Sequence, residues 1–179
     1  MGLDLHICWA PEAKRSSASR AGVSVIGELQ DAWPEGRLGP IPAWAIDRAK
    51  GADGGYLPIN LGGVDYLSHV MASMGALDST SVSSGIPLPD DVLWAMFGEQ
   101  PTGTTVEEVE AGRGELIPAR KLTHNDYQWI SPKEVRGSLA MIAASQPARL
   151  EVDPEGTALF RIWMGYLKLA AAELGIRVG

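Results

Sequence analysis

The chain has 179 residues, 45% hydrophobic and 21% charged, which suits one soluble domain spanning 1–179 and excludes a largely disordered chain. A single cysteine, Cys8, excludes an internal disulfide and any cysteine-based zinc cluster, and no run approaches the roughly 18 apolar residues of a membrane helix. The net charge of −7 is local: eight acids (Asp78, Asp90, Asp91, Glu99, Glu107, Glu108, Glu110, Glu115) stand against Arg113 alone, and the rest of the chain balances.

The first element is "LDLHICW", residues 3–9. Leu3, Leu5, Ile7 and Trp9 alternate with Asp4, His6 and Cys8, the period-two pattern of a half-buried strand. The opening residues lack a basic region before the apolar run, so no secretory signal is expected and the expected location is the cytoplasm. Val25, Ile26, Leu29 and Trp33 then recur at helical spacing and predict a helix over 21–33. Pro42 opens a second, shorter helix over 42–50, with "KGADGG" as its stop. A short strand is expected around Tyr56 to Ile59. Val64, Leu67, Val70, Met71, Met74 and Leu77 next form the stripe of a core helix.

"DSTSVSSG" (78–85) reads as a linker, and "PDDVLWAMFG" (89–98) as a short helix with Asp90 and Asp91 in its first turn. Residues 99–115 read as an acidic loop, followed by strands over 115–122 and 127–130. "SPKE" (131–134) is a helix start, with Ser131 as cap, Pro132 in the first turn and Glu134 closing a capping box. Val135, Leu139 and Ile142 give that helix its buried stripe. The stretch 157–174 is the longest helical pattern; Gly175 ends it, and "IRV" follows as a last strand able to neighbour the first. The expected fold is α+β (or α/β), with helices packed on a small mixed sheet that contains the N-terminal strand.

Few residues carry recognisable chemistry. His6 and Cys8 share a strand face roughly 6.5 Å apart along it, the outline of a thiolate–imidazole pair, but an ordinary strand face covered by a helix explains them as well. In "THNDYQW", Asp126 could orient His124 as a general base, although Asn and Asp also serve there as turn formers. A small enzyme would use His6, His124 and Asp126. His69 sits on a helix flank without an H-E-x-x-H partner. "GADGG" lacks the lysine of a phosphate loop, "GVSVIG" lacks a serine elbow, and the glutamates match no calcium loop, so no cofactor and no metal is expected. Trp33 and Trp44 flank a Pro/Gly-rich segment and are candidates for an interface.

From Pro89 onward the sequence resembles the YfbM-like family of uncharacterised bacterial proteins. The resemblance rests on Gly98, Pro101 and Gly103, on Ile130, Pro132, Glu134 and Val135, and on 170–178, about half the chain. It implies a compact α/β domain and no known catalytic residues. The function expected from the residues themselves is that of a non-catalytic binding protein, an immunity protein or a bacterial or phage inhibitor. Asp90, Asp91, Glu99, Glu107, Glu108 and Glu110, with Trp33 and Trp44, would meet a basic protein partner rather than nucleic acid or membrane. An assembly subunit burying Trp33 and Trp44 is the other non-catalytic alternative.

Overall fold

Leu3, Leu5 and Ile7 are buried and Asp4 is exposed, so the alternation of the first residues makes a one-sided strand, β1 (Leu3–Ile7). The computed structural model describes residues 2–10, 23–80, 89, 92, 103–123, 128–145 and 153–179. Among these, β1 is followed by α1 (Val25–Asp31), α2 (Glu35–Leu38), α3 (Ala43–Asp53), β2 (Tyr56–Ile59), α4 (Leu61–Ser73) and β3 (Leu77–Asp78). Then come α5 (Val106–Ala111), β4 (Ile117–Pro118), a 3-10 turn (Ala119–Leu122), β5 (Gln128–Ile130), α6 (Pro132–Ala144), α7 (Pro154–Ala172) and β6 (Ile176–Val178). No helix among the described residues is long and apolar enough to cross a membrane.

The fold is α+β. The expected mixed sheet resolves into two: a four-stranded sheet in the order β2-β1-β6-β5, antiparallel throughout, and a separate parallel pair, β3 with β4. First and last strands do pair, Leu5 opposite Val178 and Ile7 opposite Ile176. The parallel pair is held from α6. Ser138 is buried, donates its hydroxyl to the Ala76 carbonyl and accepts from the Ile117 amide, so one side chain ties together the chain flanking both short strands.

β1 ends at Ile7, not Trp9. Both neighbours end there: the Ile7 amide donates to Gly55, in the turn before β2, and the Cys8 amide to Gly175, in the turn before β6. Trp9 consequently lies beyond the ladder, half-buried, and packs against the main core without being part of the strand. Helix α3 runs past the predicted stop to Asp53. The Asp53 carboxylate accepts from the Val25 and Ile26 amides, so the end of α3 satisfies the open start of α1, beside that helix's own Ser24 cap. Helix α4 starts earlier than predicted because Asn60 caps the Gly63 amide; Leu77, assigned to its stripe, belongs to β3.

The segment 99–115 is not wholly loop. Thr105 and Glu108 close a capping box that starts α5, and Val109 anchors it. Of the strand predicted over 115–122, two residues remain; Pro118 has no N–H to carry the ladder on, and the chain turns into the 3-10 segment. The helix predicted over 89–98 lies, apart from Pro89 and Val92, outside the described residues, as does most of 78–85. The start of α6 is as predicted, with a capping box between Ser131 and Glu134. Helix α7 is the centre of the molecule, buried along most of its 19 residues, with α1, α3 and α6 packed on it.

Candidate functional site

Strand alternation gives the sheet two unlike faces. Leu5, Ile7, Leu57, Ile130, Ile176 and Val178 belong to the main core with the long helices. The cross-strand partners Tyr56–His6, His6–Arg177 and Arg177–Trp129 form a row across all four strands on the other face. At the β5 end the row is covered. Trp129 and Cys8 join Val109 of α5 in a small second core, and the Arg113 guanidinium lies 4.6 Å from the centre of the Trp129 ring. At the β2 end it is open: a cavity of about 220 Å³ is lined by His6, Cys8, Trp9, Gly54, Tyr56 and Arg177, among others.

The His6 ring lies 4.9 Å from the Tyr56 ring, and Tyr56 donates its hydroxyl to Asp4 at 2.8 Å. Burial and the Arg177 charge hold the His6 imidazole below its usual pKa, against the pull of Asp4. The Cys8 thiol is pushed up to about 12, chiefly by burial. His6 and Cys8 are therefore near one another without being an activated pair: at neutral pH the sulfur is a protonated, enclosed thiol, and the plain strand-face explanation fits. His124 and Asp126 lie outside the described residues.

Two measurements check the state of Cys8. A thiol reagent at pH 8 is expected to leave it unmodified in the native protein and to label it on unfolding. The lower thiolate population alone slows the reaction about a thousandfold, because the pKa is about 12 against 9 for a free thiol. Because the folded state keeps the proton, this contribution to stability is complete below about pH 9 and is lost as pH rises toward 12, with a limiting slope of about 1.4 kcal/mol per pH unit. Cys8→Ala should remove that component of the alkaline slope in a urea titration at several pH values; an unchanged slope would show that the thiol is not the group responsible.

The acids divide by role. Glu107 and Glu108 are exposed at the start of α5, although Glu108 also receives the Thr105 amide at 2.8 Å. Glu110 turns back to the body, where it accepts from the Lys133 amide at 2.7 Å and lies 3.8 Å from the Arg136 guanidinium. Glu115, largely exposed, meets Lys133 at 3.0 Å. Asp90, Asp91 and Glu99 lie outside the described residues. The two tryptophans are half-buried and engaged: Trp33 donates to the Gly39 carbonyl at 2.8 Å, and Trp44 donates to Glu155 at 3.1 Å with Arg48 over its ring. Trp44 also walls a wider cleft of about 400 Å³ with Arg48, Tyr66, Asp153 and Glu155. His69 is exposed on α4.

Sequence reading missed the charges that are buried. Lys121 donates to both oxygens of Glu134, at 2.8 and 2.9 Å, and to the Trp129 carbonyl at 2.8 Å, while Arg113 approaches the same carboxylate at 3.8 Å. Nothing around Lys121 in the sequence marks it as interior. Arg177 was legible only as the middle of "IRV"; its place beside His6 depends on strand pairing that no local pattern encodes. Among the described residues no three His, Cys, Asp or Glu side chains gather as a metal site. Comparison with known proteins finds no family model, no curated protein and no solved structure that matches the chain, so the functional reading rests on these side chains.

Proposed function

We propose that the protein is a non-catalytic binding protein of the immunity or inhibitor type, acting in the cytoplasm on a partner with a basic surface. The observation that carries this reading is the arrangement of α5. Val109 and Glu110 fasten the helix to the body and leave Glu107 and Glu108 facing outward, inside the segment that holds eight acids and one base. A fixed acidic ridge steers a cationic partner and sets its orientation, and its attraction weakens with salt. The same field disfavours nucleic acid. The closed Cys8 thiol weakens a thiolate–imidazole reading of His6 and Cys8, the small-enzyme alternative of His6, His124 and Asp126 has two of its residues outside the described ones, and the engaged indoles of Trp33 and Trp44 weaken the assembly alternative. The resemblance to YfbM-like proteins stands beside this reading as a proposal about ancestry and adds no residue to the site.

Affinity capture from cells of the source organism tests it, with wild type compared against Glu107→Gln/Glu108→Gln. Glutamine at 108 preserves the capping box, so the helix start is kept while the charge is removed. A basic partner should be retained by wild type and depleted at least about tenfold by the double variant, a difference of 1.4 kcal/mol or more. Equal retention by both proteins would contradict the proposal.

A further inference from the structure

Arg177 is anomalous. Its side chain is half-buried on the outer sheet face, and its Nε atom is fully enclosed without a hydrogen-bond partner. No carboxylate among the described residues forms an ion pair with it. An enclosed Nε–H without an acceptor is costly, and an unmet buried donor on a cation without a counter-charge is a place where an ion can act. The other charged and titratable groups around it are accounted for. Asp4, on β1, is engaged by the Tyr56 hydroxyl; Cys8 is a protonated thiol; and His6 stands next to Arg177 across the β1–β6 ladder.

The cavity beside Arg177 has a defined shape. Trp9 is seated against Gly55, so closely that a Cβ there would lie 2.6 Å from the indole, and the Tyr56 ring lies beside His6, tilted 33° to it, along the opposite side. Both backbone groups of Gly55 are used within the fold: its amide donates to Ala52, and its carbonyl accepts from Ile7 and from the Tyr166 hydroxyl. The side chains are therefore what the cavity offers a ligand: one unpaired guanidinium, one imidazole and two aromatic walls. The forked donors of arginine match the paired oxygens of a carboxylate or phosphate, and imidazole supplies a further donor on the same side.

The geometry points to an oxyanion-binding pocket formed by Arg177, His6, Tyr56 and Trp9, taking the carboxylate or phosphate group of a small molecule. A cavity of about 220 Å³ admits such a group with a small substituent against the aromatic walls and excludes a folded domain. The pocket is independent of the acidic ridge: α5 covers the Trp129 end of the row, and the cavity lies at the Tyr56 end.

Titration of the 15N-labelled protein with sodium phosphate and, separately, sodium acetate at constant ionic strength tests the pocket, with sodium chloride as reference. Saturable shifts are expected at His6, Gly54, Gly55, Tyr56 and the Arg177 Nε–H in at least one of the two oxyanion series. They should weaken at least tenfold in Arg177→Gln and persist in Glu107→Gln/Glu108→Gln. Saturation by phosphate alone assigns a tetrahedral anion, and by acetate alone a carboxylate. Arg177→Lys serves as the second variant: it keeps the charge, loses the fork and should show intermediate affinity. Shifts that stay linear in both series, that chloride reproduces, or that survive unchanged in the folded Arg177 variants would overturn the proposal. The capture experiment on the acidic ridge can fail while this one succeeds, and the reverse.

Discussion

Lys121→Met is expected to lower stability by about 3–5 kcal/mol, the usual cost of removing one partner from a buried ion pair. Lys121 and Glu134 are each only about 1% exposed, and the ammonium holds three contacts: both carboxylate oxygens and the Trp129 carbonyl. The substitution leaves a carboxylate and a carbonyl enclosed without their main donor; Arg113, 3.8 Å from the carboxylate, remains as a cation near it and places the expected value toward the lower end. Burial draws the Lys121 pKa down to about 8 even with Glu134 beside it, so desolvation outweighs the pairing. It follows that the pair contributes less than the single deletion costs. Glu134→Gln, which keeps the capping box, should also destabilise, by about 2–4 kcal/mol. The double variant should lose clearly less than the sum of the two, with a coupling of about 2 kcal/mol in a urea-denaturation cycle. Additive losses would mean that the two side chains act independently.

The second large effect is expected at Gly175, where φ is +86° and the position of an added Cβ falls 2.1 Å from the Ile130 carbonyl oxygen of β5. Two costs combine in Gly175→Ala: the left-handed backbone, about 1–2 kcal/mol for an L-residue, and displacement of a backbone atom that has no flexible end to move. The Gly175 carbonyl also receives the Cys8 amide, and its own amide bonds back to Ala170 at the end of α7, so the strain spreads to β1, β5 and the long helix. A loss of about 3 kcal/mol or more is expected, which for a domain of this size lowers the melting temperature by roughly 6–12 °C. Gly103→Ala is the matched comparison. There φ is +92° and nothing among the described residues lies within 4 Å of the added Cβ, so the backbone cost is the one that applies. Equal melting temperatures for the two variants would show that β5 yields to the new methyl group at no cost.

What the sequence made legible follows the range of each signal. The Ser131–Glu134 capping box, the stripe of α7 and the period-two face of β1 are set by residues within a turn or two, and each is where its local pattern puts it. Thr105 and Glu108 carried the same capping signature for α5, but the flanking glycines at 103 and 112 made the segment read as loop. Boundaries decided by distant partners were missed. Asp53 extends α3 because α1 needs an acceptor, and β1 stops at Ile7 because the turns before β2 and β6 end the ladder. The candidate sites show the same division. The exposed glutamates of α5 were visible as charge, whereas Glu110 differs from Glu107 only through its contact with α6, 23 residues on. Arg177, Lys121 and Arg113 owe their significance to burial, which one sequence does not display.

The central claim, that the molecule works by presenting its acidic ridge rather than by catalysis, is tested most directly by the salt dependence of partner retention. The partner captured by wild type is eluted with a sodium chloride gradient from 50 to 500 mM, and the elution point is compared with that from Glu107→Gln/Glu108→Gln. Elution within the gradient is expected for wild type and at clearly lower salt for the variant, with both proteins unchanged in melting temperature. A partner that elutes from both at the same salt, or resists salt altogether, would contradict it.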